Sequence, residues 1–468
     1  MPVEGPSTMP GAREWMAVGT LLAAFLLACL DHALGTSPAF DEPFFLHSGA
    51  TNLTAGAPKL ATANLVLAQN WMALPMLLRR PHLEPLPEVE SGFVPPLEPS
   101  TRFLFDPRND WRWILRAGRL MNILAAAGLG LLVWRWSREL FGAEGGFISL
   151  GLYCLSPTMV ANASLATVDL FTALWFLVAV RAWWGMLSKV TLGSVLLAGI
   201  SAGLLAATKI SAVLLVPVLM VMAAWRLWAA GFPPAFAAGR RLPGPGALAV
   251  ALAAAVVVAV LALWACYLPQ LTVFRAAPDG GLSFAHLVRA YSGALAGPLD
   301  LLGRAGVFPE PWVHDVRLFL ATTSLRRAYL GGEYSVGGWW HFFPVAWFLK
   351  SPVPYLLALL GAAAALAWGC VIAPVFGGSP ASRAAGGGPG RRLALELVPL
   401  GALTGVYLAA SMTSGLNIGL RHLLPVFPPL FILAGAAALL PVARRWRDRK
   451  STRLNSSHVS ESRMPSSA

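Results

Sequence analysis

The sequence predicts an all-α integral membrane protein with about ten transmembrane helices and two long loops on one side. Three observations lead there. Apolar residues make up 56% of the 468 and charged residues only 12%, where soluble domains carry about 25% charged residues. Mean hydropathy is +0.63. Apolar runs long enough, or nearly so, for the roughly 20-residue helix that crosses a bilayer fall at 15–34, 117–134, 145–162, 169–187, 191–207, 210–229, 247–267, 351–373, 394–412 and 422–441. The 18 tryptophans suit aromatic anchoring at the two interfaces.

The first run begins after a flank with one Arg and two Glu, and no small-residue cleavage site follows before Asp31. It therefore reads as an uncleaved helix, not a signal peptide. The basic residues that give the net charge of +13 sit in short clusters between apolar runs. Charge placed that way sets topology and attracts anionic lipid head groups. No basic domain remains to hold a duplex, which excludes nucleic acid as a partner. Cys29, Cys154, Cys266 and Cys370 each lie in or beside an apolar run without CxxC spacing, so they read as buried free thiols.

Orientation follows from the short connections. Arg135 and Arg138, Arg181 and Lys189, Arg226 with Arg240 and Arg241, Arg383 with Arg391 and Arg392, and Arg444 to Arg449 all fall on one side if the runs alternate. The positive-inside rule makes that side cytoplasmic, together with residues 1–14. The long connections 35–116 and 268–350, rich in Pro, Trp and Phe, then lie outside. Within the first, LVLAQNWMALPMLL is expected as an interfacial or folded-back helix. The membrane domain spans 15–449. Residues 450–468 lose all hydrophobic pattern and resemble translated sequencing-adapter read-through, which predicts a non-native tail on a chain truncated near Lys450.

Candidate chemistry gathers on the outer side. Asp41 and Glu42, in SPAFDEPFF just past the first run, are either a solvated acidic pair capping a helix or a base for an acceptor hydroxyl. Asp169 heads the fourth run, as a cap complementing the helix dipole or as a second functional acid. Lys209, between two apolar runs, either snorkels to the interface or serves the site. Lys350 and Arg421-His422 repeat the pattern of a cation at the outer mouth of a helix. Cations converging with two acidic sites suit a phosphate-bearing substrate held beside a base. No GxxxxGK[ST], CxxC or HExxH is present. His32 and His47 flank the acidic pair without a third ligand at metal spacing, so they read as ordinary polar contacts and no metal ligands are assigned.

FDEPFFLHSGATNL resembles the acidic-pair motif in the first outer loop of GT-C glycosyltransferases, and most nearly the protein O-mannosyltransferase and aminoarabinose-transferase-like group. ANLVLAQNWMALPMLL is similar to the segment that follows in that group, with Leu65 and Val66 where prolines are usual. SRELFGAEGGFISLGLYCLSPTMVANASLATVDL, GGEYSVGGWWHFFPVAWFLKSPVP and GLNIGLRHLLP resemble three later segments, so the likeness covers most of 15–441. It implies a GT-C type bundle that takes a sugar from a polyprenyl-phosphate donor, generally with inversion. By the same carry-over, Asp41 with Glu42 is the catalytic base, Asp169 a second acid, and Lys209, Lys350 and Arg421 with His422 the lipid-phosphate and sugar contacts. The acceptor is left open among lipid, glycan and protein hydroxyls. No cofactor is assigned; the three acids could hold a divalent cation, which the neighbouring basic residues make less necessary. The expected location is the bacterial inner membrane with the site facing the periplasm. Two rivals are a multi-span transporter or lipid flippase, whose internal repeats are not seen here, and an assembly protein with no use for the acidic pair.

Overall fold

The structure, a computed structural model, describes residues 9–54, 64–85, 97–237, 240–242, 244–268, 297–298, 301–302, 305–323, 327–368 and 389–440. Cys370, Arg383, Arg444 to Arg449 and the 450–468 tail lie outside them. The remaining cysteines, Cys29, Cys154 and Cys266, are free thiols.

Each apolar run, where described, falls largely on helix. Helix α1 (Ala12–Gly35) leads into a short extended segment and α2 (Glu42–Thr54). The connection to the next run contains α3 (Val66–Ala73), a 3₁₀ turn Leu74–Leu77 and α4 (Leu97–Phe105). Met72, Ala73 and Met76 are buried, and a Cβ on Gly49 would stand 2.2 Å from the Gln69 carbonyl oxygen. LVLAQNWMALPMLL therefore packs on α2 and is partly enclosed by protein.

Helix α5 (Trp111–Cys154) starts at Asp110, whose side chain accepts from the Trp113 amide at 3.1 Å. At Gly142 the backbone turns to φ +79°, open to glycine and strained for other residues. The chain folds back there. Ser149 Oγ donates to Ser137 Oγ at 2.8 Å and Tyr153 Oη to the Ala126 carbonyl at 2.7 Å. The runs 117–134 and 145–162 are thus antiparallel arms, the second continuing into α6 (Pro157–Ala163) capped by Ser156.

Helix α7 (Val168–Ser188) is, with Leu420–Leu439, among the most enclosed of the described spans. A Thr191–Ser194 capping box opens α8 (Leu192–Ala206), which packs on α10 (Gly244–Tyr267). Gly199 and Gly203 allow the close approach: a Cβ on either would lie 2.6 Å and 2.3 Å from the carbonyl oxygens of Ala255 and Ala259. Small residues at four-residue spacing are how helices associate where lipid removes the hydrophobic drive. Between them lie a 3₁₀ turn Ile210–Leu214, α9 (Leu215–Ala230) and a hairpin of β1 (Ala235–Ala237) with β2 (Arg240–Leu242).

Beyond α11 (Glu310–Thr323), β3 (Ala328–Leu330) pairs antiparallel with β4 (Glu333–Ser335). Helices α12 (Phe342–Lys350) and α13 (Val353–Ala367) meet at a 111° bend, where Pro352 cannot continue the first helix. Helix α14 (Pro389–Thr413), a 3₁₀ turn Leu420–Val426, α15 (Phe427–Ala434) and a 3₁₀ turn Gly435–Leu439 complete the bundle.

Among the described residues seven helices qualify as membrane spans by length and apolarity, or up to eight with the bent pair counted. The difference from about ten has local causes. Helix α5 enters that number once although it folds back at Gly142, α8 has only 15 residues, and the 351–373 run is described only to 368, as helix Val353–Ala367 after the bend.

The bundle has two unlike ends. At one, Arg138 pairs with Glu14 and Arg181 with Glu139, both at 2.5 Å, and Arg135 with Glu139 at 3.3 Å. At the other lie the C-terminal ends of α1 and α8, the start of α7 and the turn at Leu420. That is the end carrying the candidate site.

Candidate active site

Asp41 lies one residue before α2, in the turn closed by the Glu42 amide donating to the Ala39 carbonyl at 3.1 Å. Glu42, in the first helical turn, points inward and Asp41 outward. The side chain of Asp41, 23% exposed, accepts from Arg421 Nη1 at 2.5 Å. Arg421 Nε stands 3.9 Å from Asp169 Oδ2, and Lys209 Nζ donates to Asp169 Oδ1 at 2.5 Å. Lys209 Nζ is also 3.5 Å from His422 Nδ1. Five predicted residues from four parts of the chain thus form one chain of contacts, running Asp41, Arg421, Asp169, Lys209, His422. Two carboxylates and two permanent cations balance one another.

Local structure sets each position. Asp169 heads α7 and is buried. Lys209 is the extended residue between α8 and the Ile210–Leu214 turn, where φ −157° and ψ 148° swing its side chain back toward α7. Arg421 and His422 open the Leu420–Val426 turn, directly after Gly419. Asn417, just upstream, accepts from the Trp339 amide at 2.6 Å through Oδ1. A Cβ on Gly338 (φ +70°) would fall 2.2 Å from that oxygen. The motifs GGWWHFF and GLNIGLRH are therefore stapled together beside the cluster.

Glu42 sits elsewhere in the arrangement. It is fully buried, and each carboxylate oxygen already accepts two hydrogen bonds. Oε1 takes Arg119 Nε at 2.8 Å and the Ala166 amide at 2.7 Å. Oε2 takes Arg119 Nη2 at 2.7 Å and the Ala39 amide at 2.7 Å. Arg119, equally buried, also donates to the carbonyls of Ala33, Thr36 and Ser37 at 2.6, 3.0 and 2.9 Å. It thereby ties the end of α1 and the segment leading to Asp41 onto α5. Sequence reasoning passed over Arg119, although a lone arginine inside an apolar run is a signal in itself.

Lys350 is exposed at the C-terminal end of α12 and forms no ion pair among the described residues. His47 is buried and stacked on Phe103 at 4.5 Å, with Ser100 Oγ 3.2 Å from Nδ1. As for a divalent cation, the carboxylates of Asp41 and Asp169 face Arg421 and Lys209, and Glu42 is filled. These three acids do not fit a metal as they stand. Among the described residues one group has metal-ligand spacing, His82, Glu84 and Asp106 within 4.8 Å. There Arg108 already pairs with Asp106 at 2.7 Å and Glu84 at 3.1 Å.

No family model and no curated protein matches this sequence. Among solved structures, the chain is similar to ArnT from Cupriavidus metallidurans bound to undecaprenyl phosphate, at 14% identity and a TM-score of 0.38, over 92% of this chain and 77% of that one. It is also similar to the Archaeoglobus fulgidus oligosaccharyltransferase tethered to an acceptor peptide, at 11% identity and a TM-score of 0.49. That likeness covers 91% of this chain and 49% of the other. A further structure, the archaeal oligosaccharyltransferase AglB from Archaeoglobus fulgidus with an inhibitory peptide and a dolichol-phosphate, gives 12% identity and a TM-score of 0.46, over 95% and 52%.

Proposed function

We propose that this chain is a membrane glycosyltransferase that moves a sugar from a polyprenyl-phosphate donor to an acceptor hydroxyl. The observation that carries the reading is the Asp41–Arg421–Asp169–Lys209 chain at one end of an apolar bundle. Asp41, 23% exposed, lies beside Arg421, and Lys209 joins the same chain through Asp169. In the reaction the acceptor oxygen bonds to the anomeric carbon as the bond from that carbon to the phosphate oxygen breaks. The acceptor proton passes to an Asp41 oxygen. Negative charge grows on the departing phosphate, and Arg421 and Lys209 are placed to stabilise it. Binding of the phosphate draws Arg421 from Asp41 and frees the carboxylate to act as base.

In this reading Asp169 holds both cations, His422 supports Lys209, and Glu42 positions Asp41 through Arg119. Lys350 meets lipid phosphates at the rim. The ligands named for the similar structures, undecaprenyl phosphate, dolichol-phosphate and an acceptor peptide, belong to the same chemistry. The end that holds Asp41 faces the periplasm of a bacterial cell, because the opposite end gathers Arg135, Arg138 and Arg181 in its short connections.

The test is transfer of radiolabel from a panel of polyprenyl-phosphate hexoses and pentoses by the purified chain in lipid nanodiscs. Label released as free sugar or moved to an acceptor, and lost in Asp41→Asn, is the expected result. Turnover unchanged in Asp41→Asn would refute the reading.

A further inference from the structure

The last carbonyls of a helix have no partner within it, and at the end of α8 each has found one. Gly203 and Leu205 accept from the Ala207 and Thr208 amides at 3.0 and 2.9 Å, and Leu204 accepts from Thr208 Oγ1 at 2.8 Å. The next two carbonyls are met from outside the helix. Trp312 Nε1 donates to the Ala206 carbonyl at 2.9 Å, and the Leu67 amide donates to that of Ala207, also at 2.9 Å. Thr208 is fully buried, and Lys209 follows it in the extended conformation that brings Nζ to Asp169. The point where Lys209 leaves α8 is therefore fixed by one donor from each outer connection.

Trp312 is itself held in place. It stacks on Phe308 at 4.9 Å, and the two pack on a small core of Val66, Ala207, Leu263 and Tyr267. Trp264 of α10 donates through Nε1 to the Val307 carbonyl at 2.9 Å, which docks the start of this segment. The same connection returns to the site at Gly338 and Trp339, where the Trp339 amide donates to Asn417 Oδ1 at 2.6 Å. Asn417 is buried, four residues before Arg421 in the loop from α14 to the Leu420–Val426 turn. The two backbones touch there: a Cβ on Gly415 would lie 3.1 Å from the Gly337 carbonyl oxygen.

We propose that the second outer connection positions both cations of the site: Trp312 sets Lys209 through the end of α8, and the Trp339 amide sets Arg421 through Asn417. Trp312 and Asn417 act through other residues and are positioning residues, not catalytic ones. Because Lys209 and Arg421 come from different parts of the chain and share Asp169, their spacing depends on what holds each from outside. What the cations bind rests on the polyprenyl-phosphate reading; how they are held does not.

Acylation of Lys209 by a water-soluble amine-reactive ester, read by peptide mass spectrometry on the full chain in nanodiscs, tests the first arm without any ligand. Lys350, exposed at the end of α12, is the internal reference. Trp312→Phe keeps a ring on the packing core and removes only the N–H. It should raise Lys209 acylation relative to Lys350 about fivefold, the worth of one net hydrogen bond. Binding of a sugar-free polyprenyl phosphate tests both arms. Trp312→Phe and Asn417→Leu, which keeps the size of the side chain without its acceptor, should each weaken binding about fivefold. Trp312→Phe should add nothing to Lys209→Ala, nor Asn417→Leu to Arg421→Gln, whereas a merely structural role would add its loss in either background. Unchanged Lys209 acylation in Trp312→Phe, an equal rise at Lys350, or losses that add to those of the lysine and arginine variants overturns the proposal. A wild type that binds no polyprenyl phosphate refutes the donor reading instead, and the acylation ratio alone then decides the positioning.

Discussion

Replacing Glu42 by Gln tests whether two adjacent carboxylates have separate roles. In the folded chain Glu42 accepts four hydrogen bonds at full burial and neutralises a fully buried Arg119. Glutamine keeps one acceptor oxygen and presents an NH₂ where the other stood. That NH₂ faces two donors, one from Arg119 and one backbone amide, and the guanidinium loses its counter-charge. Breaking one partner of a buried pair costs about 3–5 kcal/mol. Asp41→Asn differs sharply. The Asp41–Arg421 pair is 23% and 36% exposed, and pairs of that kind contribute about 0–1 kcal/mol. The activity consequence is reversed, since loss of a general base lowers turnover by about 10²–10⁴-fold.

The assay is thermal unfolding in detergent alongside label transfer over a temperature series. Glu42→Gln should unfold well below the wild type, with activity tracking the folded fraction and recovering on cooling. Asp41→Asn should unfold with the wild type and stay inactive throughout. Exchanging the pair for apolar residues, Glu42→Leu with Arg119→Met, should recover only part of the loss, because the carbonyls of Ala33, Thr36 and Ser37 still lose their donor. A Glu42→Gln chain as stable as wild type yet inactive would refute the reasoning and give the base role to Glu42.

Other outcomes follow from the same geometry. Burial lowers the His47 pKa from 6.5 to about 4, so the unfolded chain takes up the proton first as pH falls. Stability is then complete above pH 6.5 and declines by roughly 3 kcal/mol down to pH 4; His47→Gln should flatten an unfolding profile across that window. Lys209→Ala leaves Asp169 facing Arg421 alone at 3.9 Å, so donor affinity, read by equilibrium binding, should fall at least tenfold at one lost charge-assisted contact of about 1.5–3 kcal/mol. Gly435→Ala would set a methyl 2.2 Å from Ser137 Oγ and 2.7 Å from Ser149 Oγ. It should destabilise by about 1–3 kcal/mol, and wild-type unfolding would show slack in that contact.

Much of the fold was legible because a membrane helix needs length and apolarity, and both are local. Where they are described, the ten runs fall largely on α- or 3₁₀-helix. What periodicity does not carry is the relation between runs. Alternation made 117–134 and 145–162 successive arms, but nothing in RELFGAEGG marked Gly142 as the residue on which the chain folds back. The bend at Pro352 was signalled only by its proline. Gly199 and Gly203 were in view at helix-packing spacing, but their partner α10 is some 50 residues on and is fixed by tertiary contact.

The site divides the same way. Alternation of the runs put Asp41, Asp169, Lys209 and Arg421 at one end, and the contacts join them there. It also put Lys350 at that end, where it is exposed and forms no ion pair among the described residues. The acidic pair shows most clearly what sequence withholds. Asp41 and Glu42 are neighbours of similar chemistry, and no pattern ranks one above the other. Their difference arises where the helix begins. Glu42 is the first residue of α2 and inherits an inward direction toward Arg119, a residue 77 positions away that read as part of an apolar run. Asp41 stands just before the helix and turns outward to Arg421. One burying partner, invisible to local reading, leaves a single carboxylate of the pair turned toward Arg421 and the cluster.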